Sequence, residues 1–233
     1  MKIALLGYGR MGKEIEKMAL QRGHEIVIKS DSETPYDITL ADVAIDFSIP
    51  TSAFNNISTC LNNNVPVISG TTGWLEKHSD AIELCKKKNG AFIYASNFSL
   101  GVNIFFELNN QLAKMMQTLE DYSITMEEIH HTKKLDAPSG TAITLAEGII
   151  DNSSKTVWEL DGKETSEVIP ITSKRISDVP GTHGINYSSE VDSIEIKHTA
   201  HNRKGFALGA VVAAEWILNK KGVFTMKDVL NIG

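Results

Sequence analysis

The sequence has 233 residues, 42% hydrophobic and 22% charged, with a formal net charge of −6. That length carries one large domain or two small ones, and the acidic balance argues against a general polyanion binder, so no nucleic-acid partner is expected and any phosphate or carboxylate must be gripped locally. Cys60 and Cys85 are too few for a disulfide framework and read as buried thiols, while no apolar run reaches the roughly 18 residues of a membrane span and the opening MKIALLGYG is too short for a signal peptide's apolar region, so a soluble, cytoplasmic protein is expected.

Lys2–Leu6 is a short apolar run that reads as a buried strand. Gly7-Tyr8-Gly9-Arg10-Met11-Gly12 follows at once, then a helical pattern over Lys13–Arg22 and a second strand over Glu25–Ile28. In G-x-G-x-x-G between a strand and a helix, the first glycine allows a tight turn, the second lets a pyrophosphate approach, and the third lets helix and strand pack closely. The helix N-terminus supplies free N–H groups and positive partial charge to that pyrophosphate. Asp31, at the end of the second strand, is placed to bind the adenosine ribose hydroxyls and favours NAD, while Lys29 and Arg10 could offset the repulsion of a 2′-phosphate and keep NADP open.

Val43–Phe47, Val65–Ser69 and Ala91–Ala95 read as further strands, with helices over Ser48–Asn63 and Leu75–Asn89 between them. Lys86, Lys87 and Lys88 fall in a last helical turn, where cations suit the helix dipole. This alternation predicts a doubly wound parallel sheet of Rossmann type. Ligands of such sheets bind at the carboxyl ends of the strands, where this chain places small or polar residues: Gly7 to Gly12, Gly70-Thr71-Thr72-Gly73, and Ala95-Ser96-Asn97-Phe98.

From Gly101 a long amphipathic helix runs to Gln117, and the pattern then changes. Tyr122–Ile129 reads as a strand, Thr141–Ile150 as a helix, and Val168–Arg175, Thr182–Ser188 and Ser193–Thr199 as strands. A second, α+β domain is expected, inserted into the first because the apolar helix Ala207–Asn219 is expected to pack back on the dinucleotide domain.

The chemistry concentrates in Glu127–Ala142. His130 or His131 can give or take a proton near neutral pH. Lys133 and Lys134 add cations, and Pro138-Ser139-Gly140-Thr141 opens a helix whose amides and hydroxyls suit an anion. His130 and His131 are strand neighbours whose side chains should point to opposite faces, so they do not share a metal. His183, His198 and His201 lack metal-ligand spacing, and no metal site is expected.

The chain resembles the bacterial dihydrodipicolinate reductase family, the 4-hydroxy-tetrahydrodipicolinate reductases of lysine and diaminopimelate biosynthesis. The resemblance rests on GYGRMG at 7–12, DFS at 46–48, SGTTGW at 69–74, ASNFSLGVN at 95–103, EIHHTKKLDAPSGTA at 128–142 and HTAHNRKGFALGA at 198–210, in family order. It implies catalytic roles for His130 and for Lys134, the latter as the acid that protonates substrate carbon. It implies substrate contacts from His131, Ser139, Gly140 and Thr141 with a small dicarboxylate. It implies NADH or NADPH as cofactor, held by residues 7–12, Asp31, Gly70, Thr71, Thr72, Ala95 to Phe98 and Arg203. The implied organisation is a dinucleotide domain of residues 1–101 and 203–233, with residues 102–202 binding substrate and forming a homotetramer. The glycine loop is one residue shorter than the G-x-G-G-R-M-G form, and Asp31 stands where Glu is commoner with no Arg after it, which leaves the cofactor preference open. The rival readings are another amino-acid-type dehydrogenase, such as an aspartate dehydrogenase, and a protein that senses NAD(P)H without chemistry.

Overall fold

The computed structural model describes every residue except 32–34, 203 and 233. The chain divides into two compact units, Met1–Leu100 with Lys204–Gly233, and Gly101–Arg203.

The first unit is built on a six-stranded, all-parallel sheet. Its strands are β1 (Lys2–Leu6), β2 (Glu25–Ser30), β3 (Val43–Asp46), β4 (Val67–Ser69), β5 (Ala91–Tyr94) and β11 (Gly222–Phe224), in spatial order β11-β5-β4-β3-β1-β2. Helices α1 (Arg10–Gln21), α2 (Pro50–Asn62), α3 (His78–Lys87), α6 (Lys204–Ile217) and α7 (Met226–Leu230) complete it. Side chains of a strand alternate between faces, and here both faces are buried. Ile3 and Leu5 join Ile15 and Ala19 of α1 and Ala210 and Ala214 of α6 in one core. Ala4 and Leu6 join Ile57 of α2 and Ala81 and Cys85 of α3 in the other. Strands buried on both sides read as continuous apolar runs, which is why β1 was legible from five residues.

Helix α6 packs with small residues. A Cβ on Gly209 would lie 1.7 Å from the Phe98 carbonyl oxygen, so the helix crosses the loop that follows β5 at backbone distance. Arg22 and His24 both reach Glu215 of this helix at 2.7 Å. The last long helix begins at Lys204, three residues earlier than its apolar pattern suggested, and packs in the core of the first unit. Cys60 and Cys85 are buried and unpaired, and burial raises the pKa of both thiols. Among the described residues, no helix is long and apolar enough to cross a membrane.

The second unit holds α4 (Leu100–Met116, whose first residue belongs to the first unit), β6 (Ser123–His130), α5 (Gly140–Ile150), β7 (Val157–Leu160), β8 (Val168–Arg175), β9 (Gly181–Ser188) and β10 (Ser193–Ala200). Its mixed sheet has the order β10-β9-β6-β8-β7. β9 runs antiparallel to β10 and β6, and β8 parallel to β6 and β7. Ile124 and Met126 of β6, Ile169 and Ile171 of β8, and Ile185 and Tyr187 of β9 pack with Leu145 and Ile149 of α5. Residues 152–167, where no element was expected, contain β7. That strand has four residues and a single neighbour, so its pattern is too short to stand out.

Candidate active site

The first turn of the parallel sheet is shaped by three glycines. Gly7 has φ +95°, and a Cβ there would lie 2.2 Å from the Phe47 oxygen. A Cβ on Gly12 would lie 2.4 Å from the Gly7 oxygen, so α1 sits against the turn itself. Gly9, the N-cap of α1, has nothing within 4 Å of its Cβ position. The open space above a helix N-terminus is what an approaching pyrophosphate requires.

A cleft of about 460 Å³ runs from Gly7, Tyr8 and Gly9 past Ser30 and Asp31 to Tyr36 and Asn56. A second, of about 290 Å³, shares Gly9, Phe47 and Ser48 with the first and continues to Arg10, Met11, Gly70, Thr71 and Thr72. Three strand ends expected to meet a cofactor are thus on this edge, and the first two line continuous space. Within the third, Phe98 is only 1% exposed and its ring packs against Phe47, centroids 5.7 Å apart, so its side chain belongs to the core. Asn97 Oδ1 accepts from the Ser99 N–H at 2.8 Å, while Ser96 is exposed. Arg203, also expected at the cofactor, lies outside the described residues.

Beneath this edge is a carboxylate that sequence reasoning did not single out. Asp46 ends β3 and is fully buried. Its Oδ1 accepts from Ser48 Oγ (2.7 Å) and Asn56 Nδ2 (2.8 Å), and its Oδ2 from Ser69 Oγ and Thr71 Oγ1 (both 2.8 Å). Burial pushes its pKa above the usual carboxylate value, and the four hydrogen bonds oppose that rise. Thr71 is consequently turned inward, and its Oγ1 also accepts the Ser48 N–H at 2.8 Å. Thr72 is the exposed member of the pair. Trp74 holds the same loop by donating from Nε1 to the Thr71 oxygen at 2.7 Å.

In the second unit, the period-two alternation of β6 puts Glu128 and His130 on one buried face. Glu128 has no exposed surface. Its Oε2 accepts the Ser139 N–H at 3.0 Å and lies 3.4 Å from His130 Nδ1 and 3.7 Å from His183 Nε2. Its Oε1 accepts from Ser173 Oγ at 2.7 Å and from both Arg175 terminal nitrogens at 3.4 Å. Burial works to raise the Glu128 pKa, but the neighbouring His183 and hydrogen bonds from Ser139 and Ser173 outweigh it and hold the group ionised. His130 is lowered to about 4. Burial is the main cause, Glu128 opposes it, and His183, Lys134 and Arg175 add to it. The imidazole is therefore neutral at physiological pH.

Sequence spacing offered no set of metal ligands, yet the fold gathers Glu128, His130 and His183, with ligand atoms within 4.8 Å of one another. The carboxylate's oxygens already take Ser139, Ser173 and the cationic Arg175, so the group reads as a hydrogen-bond hub. E-x-H at period two was the available signal for Glu128. His183 and Arg175 arrive only through the pairing of β9 and β8 with β6, Glu128 lying opposite His183.

The segment between β6 and α5 carries the remaining expected residues. His131 is half-buried just beyond the strand. Lys134 Nζ is 2.7 Å from Asp136 Oδ2, and its side chain is 20% exposed. Arg175 braces this loop by donating to the Asp136 oxygen at 2.7 Å. The Ala137–Pro138 bond is cis. Ser139 caps α5: its Oγ accepts the Ala142 N–H at 3.2 Å and lies 3.0 Å from His183 Nε2. Both polar groups of Ser139 are thus directed inward. Gly140, exposed, and Thr141 follow as the first turn of α5, and among the described residues their N–H groups have no protein partner. A Cβ on Gly140 would meet nothing within 4 Å.

A parallel sheet with a glycine turn and open helix terminus at its carboxyl edge, joined in one chain to a buried Glu–His hub beside a lysine, defines a nicotinamide-dinucleotide oxidoreductase. Residues 32–98 match the family model for the N-terminus of dihydrodipicolinate reductase, and residues 101–230 that for its C-terminus. The chain belongs to this family. It is 60% identical to the 4-hydroxy-tetrahydrodipicolinate reductase of Christiangramia forsetii, over 99% of this chain and 98% of that one. It is 37% identical to the enzyme of the same name from Thermosipho africanus, over the same shares. A dipicolinate-bound dihydrodipicolinate reductase from Paenisporosarcina sp. TG-14 has the same fold, with a TM-score of 0.80 at 23% identity over 97% of each chain.

Proposed function

We propose that the chain reduces 4-hydroxy-tetrahydrodipicolinate to tetrahydrodipicolinate with NADH or NADPH, in lysine and diaminopimelate biosynthesis. The bound dinucleotide supplies the hydride. It lies along the edge formed by Gly7 to Gly12, Asp31, Gly70 to Thr72 and the Ala95 to Phe98 turn, with its pyrophosphate over Gly9 and the N-terminus of α1. The substrate is a small dicarboxylate, like the dipicolinate of the Paenisporosarcina structure.

The observation that carries the reading is the Glu128 hub with Lys134 and the two open amides beside it. The Gly140 and Thr141 N–H groups, with the Thr141 hydroxyl, hold one substrate carboxylate. Ser139 and Glu128 fix the turn that presents them. His130, neutral and buried, orients substrate together with His131 and adds no charge. The 4-hydroxyl departs as water to leave a ring double bond conjugated with the imine, hydride adds at one carbon of that bond, and Lys134 leaves Asp136 to give its Nζ proton to the other. Positioning and fixed charge supply the acceleration. The second unit also carries assembly into a homotetramer: α4 and α5 cover one sheet face, and Thr125, Thr172, Lys174, Glu195 and Lys197 stand exposed on the other. Light scattering on the purified chain tests that assignment.

Lys134→Ala tests the chemistry. Loss of a general acid lowers kcat by about 10²–10⁴, with the Kd for the dinucleotide unchanged, when turnover is followed by cofactor oxidation on fresh product of dihydrodipicolinate synthase. Near-normal turnover in that variant overturns the role of Lys134. Oxidation of aspartate in preference to this reduction would replace the substrate.

A further inference from the structure

A 2′-phosphate on the adenosine ribose needs a cation, and β2 carries one just before the residues that line this cleft. Lys29 stands on β2 two residues before Asp31, which lines the cleft with Ser30 and Tyr8. The structure shows where its charge goes. Lys29 Nζ is 2.5 Å from Glu16 Oε1, and it sits 5.2 Å from the centroid of the Tyr8 ring. The Tyr8 hydroxyl donates to the other Glu16 oxygen. Glu16 is on α1, and its side chain is only 17% exposed, so the ion pair is partly shielded from water. Two other cations stand near the same turn. Arg10 opens α1 at the pyrophosphate end, and Lys13 Nζ lies 6.0 Å from the Tyr8 centroid.

We propose that Glu16 sets the choice between the two dinucleotides in favour of NADH, by holding Lys29 against Tyr8 and away from the ribose end of the cleft. Lys29 is then kept from a 2′-phosphate, and a carboxylate at Asp31 accepts from a 2′-hydroxyl and repels a 2′-phosphate. A residue outside the glycine motif, on the far side of Tyr8, thereby governs a specificity usually ascribed to the strand-end acid alone. The inference rests on the reading of this edge as the dinucleotide site.

The test is a set of Kd values for NADH and NADPH, from quenching of protein fluorescence, with kcat/KM alongside. The wild-type chain prefers NADH. In Glu16→Gln the amide still accepts from Tyr8 but no longer neutralises Lys29, and the NADPH Kd falls about fivefold, the scale of a partly exposed ion pair. The NADH Kd stays within about twofold. Lys29→Met alone leaves the preference unchanged, and added to Glu16→Gln it removes the gain. Three results overturn the proposal: a wild type that prefers NADPH, a Glu16→Gln variant with the wild-type preference, or a Lys29→Met variant that loses NADPH affinity. If Glu16→Gln does not fold, Lys29→Met decides alone, because a lysine already serving the phosphate would be missed. Failure of the wild type to bind either dinucleotide would instead remove the cleft assignment itself.

Discussion

His130 gives a measurable acid lability to the fold. Its side chain is 9% exposed and lies 3.4 Å from Glu128, and burial lowers its pKa to about 4 against 6.5 for the free side chain. Below 6.5 the unfolded chain takes up a proton that the folded chain refuses, so the unfolded state gains. The contribution is intact above pH 6.5, declines as the pH falls, and is fully lost below about 4. At 1.36 kcal/mol for each pH unit of that window, the loss is roughly 3 kcal/mol. His130→Asn keeps an N–H donor near the Nδ1 position and does not titrate. Urea unfolding of both proteins at several pH values between 7.5 and 4 isolates the histidine, because the other titrating groups cancel to first order. The stability difference should move by about 3 kcal/mol against the wild type as the pH falls, a relative midpoint shift of about 1–1.5 M urea. A flat difference across that range, or an imidazole titrating near 6.5 by NMR, would refute the neutral, buried assignment. The same protonation should set the acid limb of kcat/KM near pH 4.

Asp46 and the helix crossing at Gly209 supply two further tests. Asp46→Asn keeps one acceptor oxygen for Asn56 and Ser48, and the Ser69 and Thr71 hydroxyls can turn to accept from its amide, so stability changes by at most about 1 kcal/mol. Asp46→Ala removes the acceptor from all four donors and costs about 3 kcal/mol, a fall in Tm of roughly 6–12 °C for a chain of this size; calorimetry showing the two variants equal would remove the network from the account. Gly209→Ala drives a Cβ to 1.7 Å from the Phe98 oxygen, backbone on both sides. It should destabilise by about 3 kcal/mol or more, and a wild-type Tm would show that α6 can shift without cost.

Much of the first unit was legible because its signals are local. The glycine turn, the five-residue β1 and the alternation of strand and helix each sit within one window of sequence, and a strand buried on both faces reads as an unbroken apolar run. The short elements escaped. β11 is three residues long and among the described residues pairs with β5 alone, and α7 is a five-residue helix marked by its Thr225–Asp228 capping box. In the second unit the His130–Thr141 segment was found from its residue types. Its support was not, because Ser173, Arg175 and His183 come from strands whose register with β6 is a tertiary outcome. Thr71 and Phe98 show the other side of this: both belong to loops expected at the cofactor, and their side chains face Asp46 and the core. Sequence marks the loop but not which way each of its side chains turns.

The dependence of the Glu128 hub on three strands also gives it a place in folding. β8, β9 and the turn before α5 each contribute one or more of its partners, and a one-residue slip of β6 would carry Glu128 and His130 to the opposite face of the sheet. A chain with the secondary structure of the second unit but the wrong register would then lack the braced turn at Ser139. On the proposed reading of that turn as the carboxylate grip, substrate affinity reports on completed strand pairing, and during refolding it should return with the last sheet contacts and not with the helices.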